Sequence, residues 1–393
     1  MQAFTQYTPT KVIFGAGTEA QAPTEIVKAG GSRVLVVYGG GSVVRSGLLA
    51  KVEAGLSAAG LVYETLGGVQ PNPRLSLARE GVKKAIAMKA DFILAVGGGS
   101  VIDTAKAVAH GCANPETDIW EFWSGRQKVT KTTPVGVILT ISAAGSEMSD
   151  SAVLTNEELG YKCGLGTDFN RPVFAVMDPE LTYTLPPYQV ACGIVDIMMH
   201  TLDRYFTPTT GNELTDALAE ALLRTVIANG TKAMENSRGY GPMSELMWAG
   251  SLSHNGLTGL GAAKDFVPHK LGHELSARFD VAHGASLSTV WGAWAEYSCG
   301  EHPERFVRYA REVWGITRDD PQDAVKAGIE ATVAYFKSLG MPTCFTELGI
   351  GVQEDEVLQA MANQATKGDT VRLGSFRSLN AADAAAVYRL ANR

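Results

Sequence analysis

Two glycine-rich turns, each placed directly after a short apolar run, limit most strongly what this chain can fold into. The β-branched run 33–38 ends at Gly39-Gly40-Gly41-Ser42, and the apolar run 91–96 ends at Gly97-Gly98-Gly99-Ser100. A helical stretch follows each turn, and a third apolar run covers residues 135–140. Short, continuously apolar strands that alternate with helices are typical of a parallel sheet covered on both faces. The N-terminal half is therefore predicted to be an α/β domain.

The pattern changes near Pro186-Pro187. Beyond this point the chain is rich in Ala, Leu and Glu at helical spacing, as in 212–227 and 322–338. A length of 393 residues leaves room for two or three domains with substantial cores. We expect an α/β domain over residues 1–187 and a mostly helical domain over residues 188–393.

Composition excludes several classes of protein. With 34 Lys+Arg against 41 Asp+Glu the net charge is −7, so the chain offers no electrostatic footprint for nucleic acid or for an anionic membrane. No apolar run approaches the ~20 residues of a membrane helix, and the N-terminus lacks the layout of a signal peptide. The five cysteines form no C-x-x-C pair, which argues against a disulfide framework and a structural zinc site. We expect a cytoplasmic protein.

Both glycine turns have the chemistry of a phosphate site. Glycines at the end of a strand let backbone N–H groups approach an anion, and the helix N-terminus that follows adds positive partial charge. Two such turns in one sheet indicate a dinucleotide site at the carboxyl ends of the strands, although neither turn has the G-x-G-x-x-G spacing. The first turn carries no carboxylate for a ribose diol, and Arg45 follows it, which favours NADP(H) over NAD(H).

An aspartate and several histidines recur at helical spacing in the second half. Asp196 and His200 are four residues apart, as are His269 and His273, and His283 follows them. Because side chains four residues apart share a helix face, we predict a divalent metal site built from separate helices, with one position left open for substrate. The order His-x-x-x-His-Glu differs from the zincin motif, which places the Glu between the histidines, so a peptidase is disfavoured.

Three further histidines, His110, His254 and His302, lack such neighbours in sequence and are interpreted as packing residues. The donor types do not identify the ion, because imidazole and carboxylate ligands suit Zn²⁺, Fe²⁺, Co²⁺ and Ni²⁺ alike.

Motifs along the whole chain carry a family resemblance. They are Tyr7-Thr8-Pro9-Thr10, Tyr38-Gly39-Gly40-Gly41-Ser42, Pro71-Asn72-Pro73, Gly97-Gly98-Gly99-Ser100-Val101-Ile102-Asp103, Gly145-Ser146-Glu147, Asp178-Pro179, Thr182-Tyr183-Thr184-Leu185-Pro186-Pro187, Val195-Asp196, His200, and His269 through His283. On these motifs the chain resembles the iron-containing (group III) alcohol dehydrogenases, and within them the branch of NADPH-dependent butanol dehydrogenases and aldehyde reductases.

The resemblance implies a dehydroquinate synthase-like fold, with an N-terminal dinucleotide-binding parallel-sheet domain and a C-terminal all-helical metal-binding domain. It implies that Asp196, His200, His269 and His283 bind one divalent ion, Fe²⁺ or Zn²⁺. It places His273 near the nicotinamide as a catalytic residue that relays a proton. The cofactor-binding residues that it implies are Gly39, Gly40, Gly41, Ser42, Asn72, Gly98, Gly99, Ser100, Asp103, Thr140, Ser142, Ser149, Lys162, Leu181 and His273.

The chain departs from the family pattern at two positions near the expected cofactor. Ala144 stands where relatives commonly have Thr, and Ser149 stands where they commonly have Asn. Loss of the Thr hydroxyl removes one hydrogen bond, with a net effect of roughly 0.5–1.5 kcal/mol. These differences concern cofactor affinity and leave the reaction class unchanged.

The resulting expectation is reversible hydride transfer between NADP(H) and a primary alcohol or aldehyde such as butanol or butanal. The expected partners are this small-molecule substrate and a second copy of the chain in a homodimer, without nucleic acid or membrane. One alternative is a metal-dependent lyase similar to dehydroquinate synthase, which uses NAD only transiently. Such a site needs clustered basic residues, and only Lys264, Lys270 and Arg278 lie between His254 and His283. A non-catalytic nucleotide sensor is a third interpretation.

Overall fold

The computed structural model describes residues 1–393, and its contacts divide the chain into two compact units. The sheet unit consists of Tyr7–Leu185 and Ser237–Ser251. The helical unit consists of Met1–Gln6, Pro186–Asn236 and Leu252–Arg393. The main division therefore falls beside Pro186-Pro187. Residues 1–6 were expected in the α/β domain but belong to the helical unit. Residues 237–251 were expected in the helical domain but belong to the sheet unit.

A six-stranded, wholly parallel sheet forms the centre of the sheet unit, in the order β1-β8-β5-β4-β2-β3. The predicted parallel sheet is thus confirmed, and the three apolar runs recognised in the sequence are its neighbouring strands β5, β4 and β2. The strands of this sheet are β1 (Lys11–Phe14), β2 (Arg33–Gly39), β3 (Val62–Val69), β4 (Phe92–Gly97), β5 (Val135–Leu139) and β8 (Phe174–Met177).

Helices cover both faces of the sheet, as the continuously apolar strands require. Leu35 and Val37 face one core cluster, which α4 and α5 complete. Val34 and Val36 face a second cluster on the other side, which α1 and α3 complete. This alternation follows from the two-residue period of a strand. The helices of the first part of the chain are α1 (Ala22–Lys28), α2 (Ser42–Arg45), α3 (Leu48–Ala58), α4 (Leu75–Ala87), α5 (Gly99–Ala113) and α6 (Ile119–Trp123).

A two-stranded antiparallel hairpin accompanies the parallel sheet and was absent from the sequence prediction. It consists of β6 (Ser151–Asn156) and β7 (Tyr161–Gly166). Its strands mix polar and apolar residues. They lack the long continuous apolar runs by which the buried strands were predicted. Ala152 and Leu154 pack with the tryptophans of α6 in a separate core cluster.

The helical unit is built around α7, whose residues from Gly193 to Tyr205 are buried. Pro187 is its first residue, where the missing proline N–H costs no helical hydrogen bond. No helix of the structure combines the length and the apolar character needed to cross a bilayer, and no disulfide joins the cysteines. The later helices are α7 (Pro187–Tyr205), α8 (Glu213–Glu235), α9 (Tyr240–His254), α10 (Val267–Phe279), α11 (His283–Ser298), α12 (Pro303–Trp314), α13 (Pro321–Ser338), α14 (Phe345–Leu348), α15 (Asp355–Ala365) and α16 (Ala381–Ala391).

Candidate metal and dinucleotide sites

Three helices of the helical unit bring three imidazoles around one carboxylate oxygen, which makes four potential metal ligands. Asp196 and His200 lie one turn apart on α7, and Oδ1 of Asp196 is 3.4 Å from Nε2 of His200. His269 on α10 places its Nε2 atom 3.8 Å from the same oxygen. His283, the first residue of α11, places its Nε2 atom at 3.7 Å.

This spacing fits a tetrahedral divalent ion. Donor atoms about 2.0–2.2 Å from such an ion lie roughly 3.3–3.6 Å apart, close to the three distances from Asp196 Oδ1. That oxygen and Nε2 of His269 are both buried and have no hydrogen-bond partner within the protein. Because buried polar atoms are normally satisfied, these atoms are suited to an ion. Asp196, His200 and His269 form the tightest group, with ligand atoms within 4.8 Å of one another.

A buried carboxylate holds one of these imidazoles in the orientation that metal binding needs. Nδ1 of His269 donates a hydrogen bond to Oδ2 of Asp203, which lies two turns after Asp196 on α7. This bond assigns the proton to Nδ1 and leaves Nε2 as the metal-binding atom. Burial lowers the pKa of His269, but the charges of Asp203 and Asp196 outweigh it, and the net pKa is raised. Sequence reasoning missed Asp203, since nothing in its spacing links it to His269.

His254, interpreted from the sequence as a packing residue, packs against one of the predicted ligands. Its ring stacks on that of His200 with centroids 3.8 Å apart. Burial, together with the neighbouring His254 and His269, lowers the pKa of His200 well below its ordinary value, which keeps the imidazole neutral and able to bind a cation. The ring of Phe266 lies 5.2 Å from that of His269. The site thus has an aromatic wall.

His273 lies beside the ligands and outside the group that faces Asp196. Its ring centroid is 5.3 Å from that of His283 and 6.3 Å from that of His269. It is partly exposed, as a residue that exchanges protons with solvent must be. Its predicted catalytic role remains a prediction. The interpretation of His110 agrees with the structure, where the buried ring bonds to Thr132 and Asn170.

In the sheet unit, the predicted dinucleotide residues meet at one edge of the sheet. β2, β4 and β5 are neighbouring parallel strands that end at Gly39, Gly97 and Leu139. Gly40, Gly41 and Ser42 follow the first of these ends, Gly98, Gly99 and Ser100 follow the second, and Thr140 and Ser142 follow the third. This is the edge at which open α/β sheets bind their ligands.

Local geometry explains why both turns contain glycine. Gly41 adopts φ 118°, which disfavours any residue with a side chain. At Gly98 a Cβ atom would lie 2.0 Å from Cγ2 of Ile141, because the turn packs directly against the loop after β5. Gly98 caps α5, a helix of 15 residues whose first N–H groups have no intrahelical acceptor. The turn is therefore suited to bind an anion.

The remaining predicted cofactor residues have two kinds of surroundings. Lys162 on β7 donates a hydrogen bond of 2.9 Å to Oδ1 of Asn72, and both side chains are buried. Leu181 packs against the core on the α1 and α3 side of the sheet. Asp103 accepts hydrogen bonds from Ser146 and Val153, and the Ser149 hydroxyl donates to the carbonyl oxygen of Ser151. These bonds within the protein favour an indirect role for both residues.

Comparison with known proteins gives two matches to family models that together span most of the chain. Residues 9–179 match the model described as iron-containing alcohol dehydrogenase. Residues 190–392 match the model of the C-terminal part of the Fe-containing alcohol dehydrogenase family.

Individual relatives match over their full lengths. The chain is 40% identical over 391 residues to NADH-dependent butanol dehydrogenase A of Clostridium acetobutylicum, covering 99% of both chains. It is 37% identical to the NADPH-dependent aldehyde reductase YqhD of Escherichia coli, covering 89% of this chain and 90% of that protein. The crystal structure of NADH-dependent butanol dehydrogenase A from Thermotoga maritima superposes with a TM-score of 0.96 at 33% identity, covering 100% of this chain and 99% of the other.

Proposed function

The chain belongs to the iron-containing alcohol dehydrogenase family, and we propose that it is a metal-dependent, NADPH-linked alcohol dehydrogenase and aldehyde reductase. The reaction is reversible hydride transfer between NADP(H) and a primary alcohol or aldehyde such as butanol or butanal. The observation that carries the proposal is the arrangement of three imidazole nitrogens 3.4–3.8 Å from one buried carboxylate oxygen of Asp196. The family models describe alcohol dehydrogenases over both halves of the chain, which favours this reaction over the lyase and the sensor.

The side chains of the helical unit have defined tasks in this reaction. Asp196, His200, His269 and His283 would hold one divalent ion, Fe²⁺ or Zn²⁺. When bound, such an ion supplies Lewis-acid polarisation of a carbonyl oxygen. Asp203 keeps the proton of His269 on Nδ1. With an ion bound, its three imidazole ligands would be neutral and Asp196 would supply the only ligand charge.

Hydride and proton come from different sources. The glycine turns after β2 and β4 would hold the dinucleotide, which supplies a hydride for the carbonyl carbon when it is bound. The carbonyl oxygen gains a proton that His273 relays from solvent, since imidazole titrates near neutral pH. The products are the primary alcohol and the oxidised cofactor. In the reverse direction His273 accepts the alcohol proton.

The preference for NADP(H) is supported by the turn after β2. This turn contains no carboxylate that would repel a 2′-phosphate. Nη1 of Arg45 lies 3.2 Å from the position that a Cβ atom on Gly41 would occupy, so the guanidinium group is next to the turn. One relative is named for NADH and another for NADPH. The support for NADPH therefore comes from Arg45. A cytoplasmic homodimer is part of the same proposal.

The test is net NADPH oxidation with butanal, followed by absorbance, on protein as purified, after chelation and after reloading with Fe²⁺ or Zn²⁺. NADH is run in parallel, and the reverse reaction uses butanol with NADP⁺. We expect turnover to disappear on chelation and to return on reloading. The His283→Ala variant should retain neither metal nor activity, whereas His302→Ala, a change elsewhere in the helical unit, should retain both. A protein that binds metal and nucleotide yet oxidises no NADPH with any aldehyde would contradict the proposal.

A further inference from the structure

We infer that Lys106 is a positioning residue for the dinucleotide, because its buried ammonium group holds the loop after β5. The turn after β2 is proposed for the 2′-phosphate end and the turn after β4 for the pyrophosphate, so the loop after the next strand, β5, is left for the nicotinamide half. The loop in question joins β5 to β6 and covers residues 140–150; it is called the β5–β6 loop below. The inference rests on the proposed function, since it assumes that a nicotinamide dinucleotide binds at this edge of the sheet.

The ammonium group of Lys106 lies beneath the β5–β6 loop and is saturated by it. Nζ donates to the carbonyl oxygen of Ser146 at 2.7 Å and contacts its Oγ atom at 2.8 Å. It also donates to the carbonyl oxygen of Ser151 at 2.7 Å, with that of Ser149 at 3.4 Å. Lys106 is 1% exposed, so these bonds replace water entirely. One side chain thus fixes the loop at its middle and at its end.

Asp103, one turn earlier on α5, completes the attachment. Its Oδ1 atom accepts a hydrogen bond of 2.6 Å from the Ser146 hydroxyl. Its Oδ2 atom accepts a bond of 2.9 Å from the backbone N–H of Val153, in the first part of β6. Burial raises the pKa of Asp103 and lowers that of Lys106 to about 8, while each charge opposes the effect of burial on the other. The two side chains are therefore a mutually supporting pair on one helix.

The glycine turn after β4, which is proposed to bind the pyrophosphate, leads directly into α5. This helix therefore sets the spacing between the turn and the β5–β6 loop. Gly98 caps α5 and packs against Ile141 of the loop, and the position of a Cβ atom on Gly99 is 3.1 Å from Cβ of Ala144. The N–H of Thr140 bonds to the carbonyl oxygen of Gly97 at 3.1 Å. Both the glycine turn and the Lys106 side chain therefore contact the loop and fix its position.

One buried side chain in the loop has no partner within the protein. The hydroxyl of Ser142 is buried and has no hydrogen-bond partner within the chain. Such groups are uncommon in folded proteins, and a bound cofactor amide or ribose hydroxyl would satisfy it. Loss of the Lys106 ammonium leaves carbonyl oxygens of Ser146 and Ser151 without their donor, so the loop must shift. The turn at Gly39–Ser42, on another strand, is not attached to Lys106 and keeps its conformation.

The experiment separates the two halves of the dinucleotide. The Lys106→Met variant is titrated with NADPH and, separately, with adenosine 2′,5′-bisphosphate, which lacks the whole nicotinamide mononucleotide half. NADH and ADP, which lacks only the nicotinamide riboside, form a parallel pair. We expect the Kd for NADPH to rise at least tenfold while the Kd for the bisphosphate stays within twofold. The KM for NADPH should rise in step, with the KM for butanal unchanged. Lys83→Met, which changes an exposed lysine on the neighbouring helix α4, serves as the matched control and should behave as wild type.

A second variant keeps the test decisive if Lys106→Met does not fold. Ser146→Ala removes only the hydroxyl between Asp103 and Lys106 and should raise the Kd for NADPH severalfold, again without affecting the bisphosphate. Unchanged NADPH affinity in both soluble variants would overturn the inference and leave the proposed function intact. An equal loss for both ligands would also overturn it, since this would indicate general loosening of the sheet unit. A wild-type protein that binds neither dinucleotide would overturn the proposed function itself.

Discussion

Oδ1 of Asp196 is the central atom of the proposed metal site. It is buried, negatively charged and without a hydrogen-bond donor, an arrangement that costs several kcal/mol unless a cation compensates it. Three imidazole nitrogens surround it at distances suited to a shared ion. Asp203 adds a second carboxylate, which bonds to the far side of the His269 ring. Single substitutions can therefore distinguish residues that would bind the ion directly from a residue that orients one of its ligands.

The Asp203 carboxylate is expected to strengthen metal binding without touching the ion. Asp203→Ala removes the acceptor of the His269 N–H and should weaken metal affinity by about 10–100-fold. Asp203→Asn keeps an acceptor oxygen but loses the charge, so its affinity should fall between alanine and wild type. Competition with a chromophoric chelator measures this order directly. Equal affinity in all three proteins would show that the bond to Asp203 has no influence on the ion.

Arg45 is expected to separate the two nicotinamide cofactors. Arg45→Ala removes the guanidinium group beside the turn after β2 and with it the charge that attracts a 2′-phosphate. The KM for NADPH should rise about tenfold, while that for NADH should change less than twofold. Steady-state kinetics with both cofactors give the comparison, and Arg126→Ala, which changes an exposed arginine after α6, is the control. Parallel changes with both cofactors would exclude this role.

At the scale of elements, one helix buries an ionisable side chain that the pattern of apolar residues would place at the surface. Glu274 on α10 is buried, although it follows His273 in a polar-looking segment. Burial raises its pKa to about 8. It lies near Tyr388 of α16, whose pKa burial and Glu274 raise well above the ordinary value. The carboxyl group is therefore protonated at neutral pH and acts as a neutral part of this packing.

Glu274 gives a pH dependence of stability with a definite sign. Its pKa in the folded protein exceeds the ordinary value of 4.5, so the native state keeps a proton that the unfolded chain releases. The free energy of unfolding should consequently fall as pH rises from about 4.5 to about 8, by up to about 1.4 kcal/mol per pH unit. Glu274→Gln should remove this contribution.

Urea unfolding of the wild type and of Glu274→Gln at pH 5, 6.5 and 8 measures the effect. The variant should gain stability relative to the wild type with each step in pH. Glu356→Gln, which changes an exposed residue of α15, should follow the wild type throughout. A constant difference between Glu274→Gln and the wild type across this range would disagree with the expected protonation.

At the scale of the whole molecule, the residues of the proposed metal site belong to one unit and those of the proposed dinucleotide site to the other. Asp196, His200, His269 and His283 belong to the helical unit. The glycine turns and the β5–β6 loop belong to the sheet unit. Each ligand should therefore stabilise the unit that binds it, by mass action on the folded form.

Hydrogen exchange measured by mass spectrometry tests which unit each ligand stabilises. Chelation should accelerate exchange in α7, α10 and the start of α11, where the ligands lie, and leave β2 and β4 unchanged. Addition of NADP⁺ should slow exchange in the β5–β6 loop and at the start of α5. Faster exchange throughout β2 and β4 on chelation alone would contradict the assignment of the ion to the helical unit.

Prediction from the sequence succeeded where the signal is local. The apolar runs that became β2, β4 and β5 share one property, burial on both faces, and it is visible in consecutive residues. The helices at 48–58 and 321–338 show their period within the segment itself. The strands β6 and β7 were missed, because a hairpin of mixed polarity differs little from a loop until its partner strand is known.

The sequence by itself determined the α/β and helical halves, the two glycine turns and the pairing of Asp196 with His200, since each depends on residues within about one helical turn or one strand. Only the tertiary structure decided that Asp203 supports His269, 66 residues away, and that Lys106 holds Ser146, 40 residues away. It also decided that His254 stacks on His200. These contacts join separate elements, and the packing of the elements against one another, which no periodicity within a segment records, sets their distances.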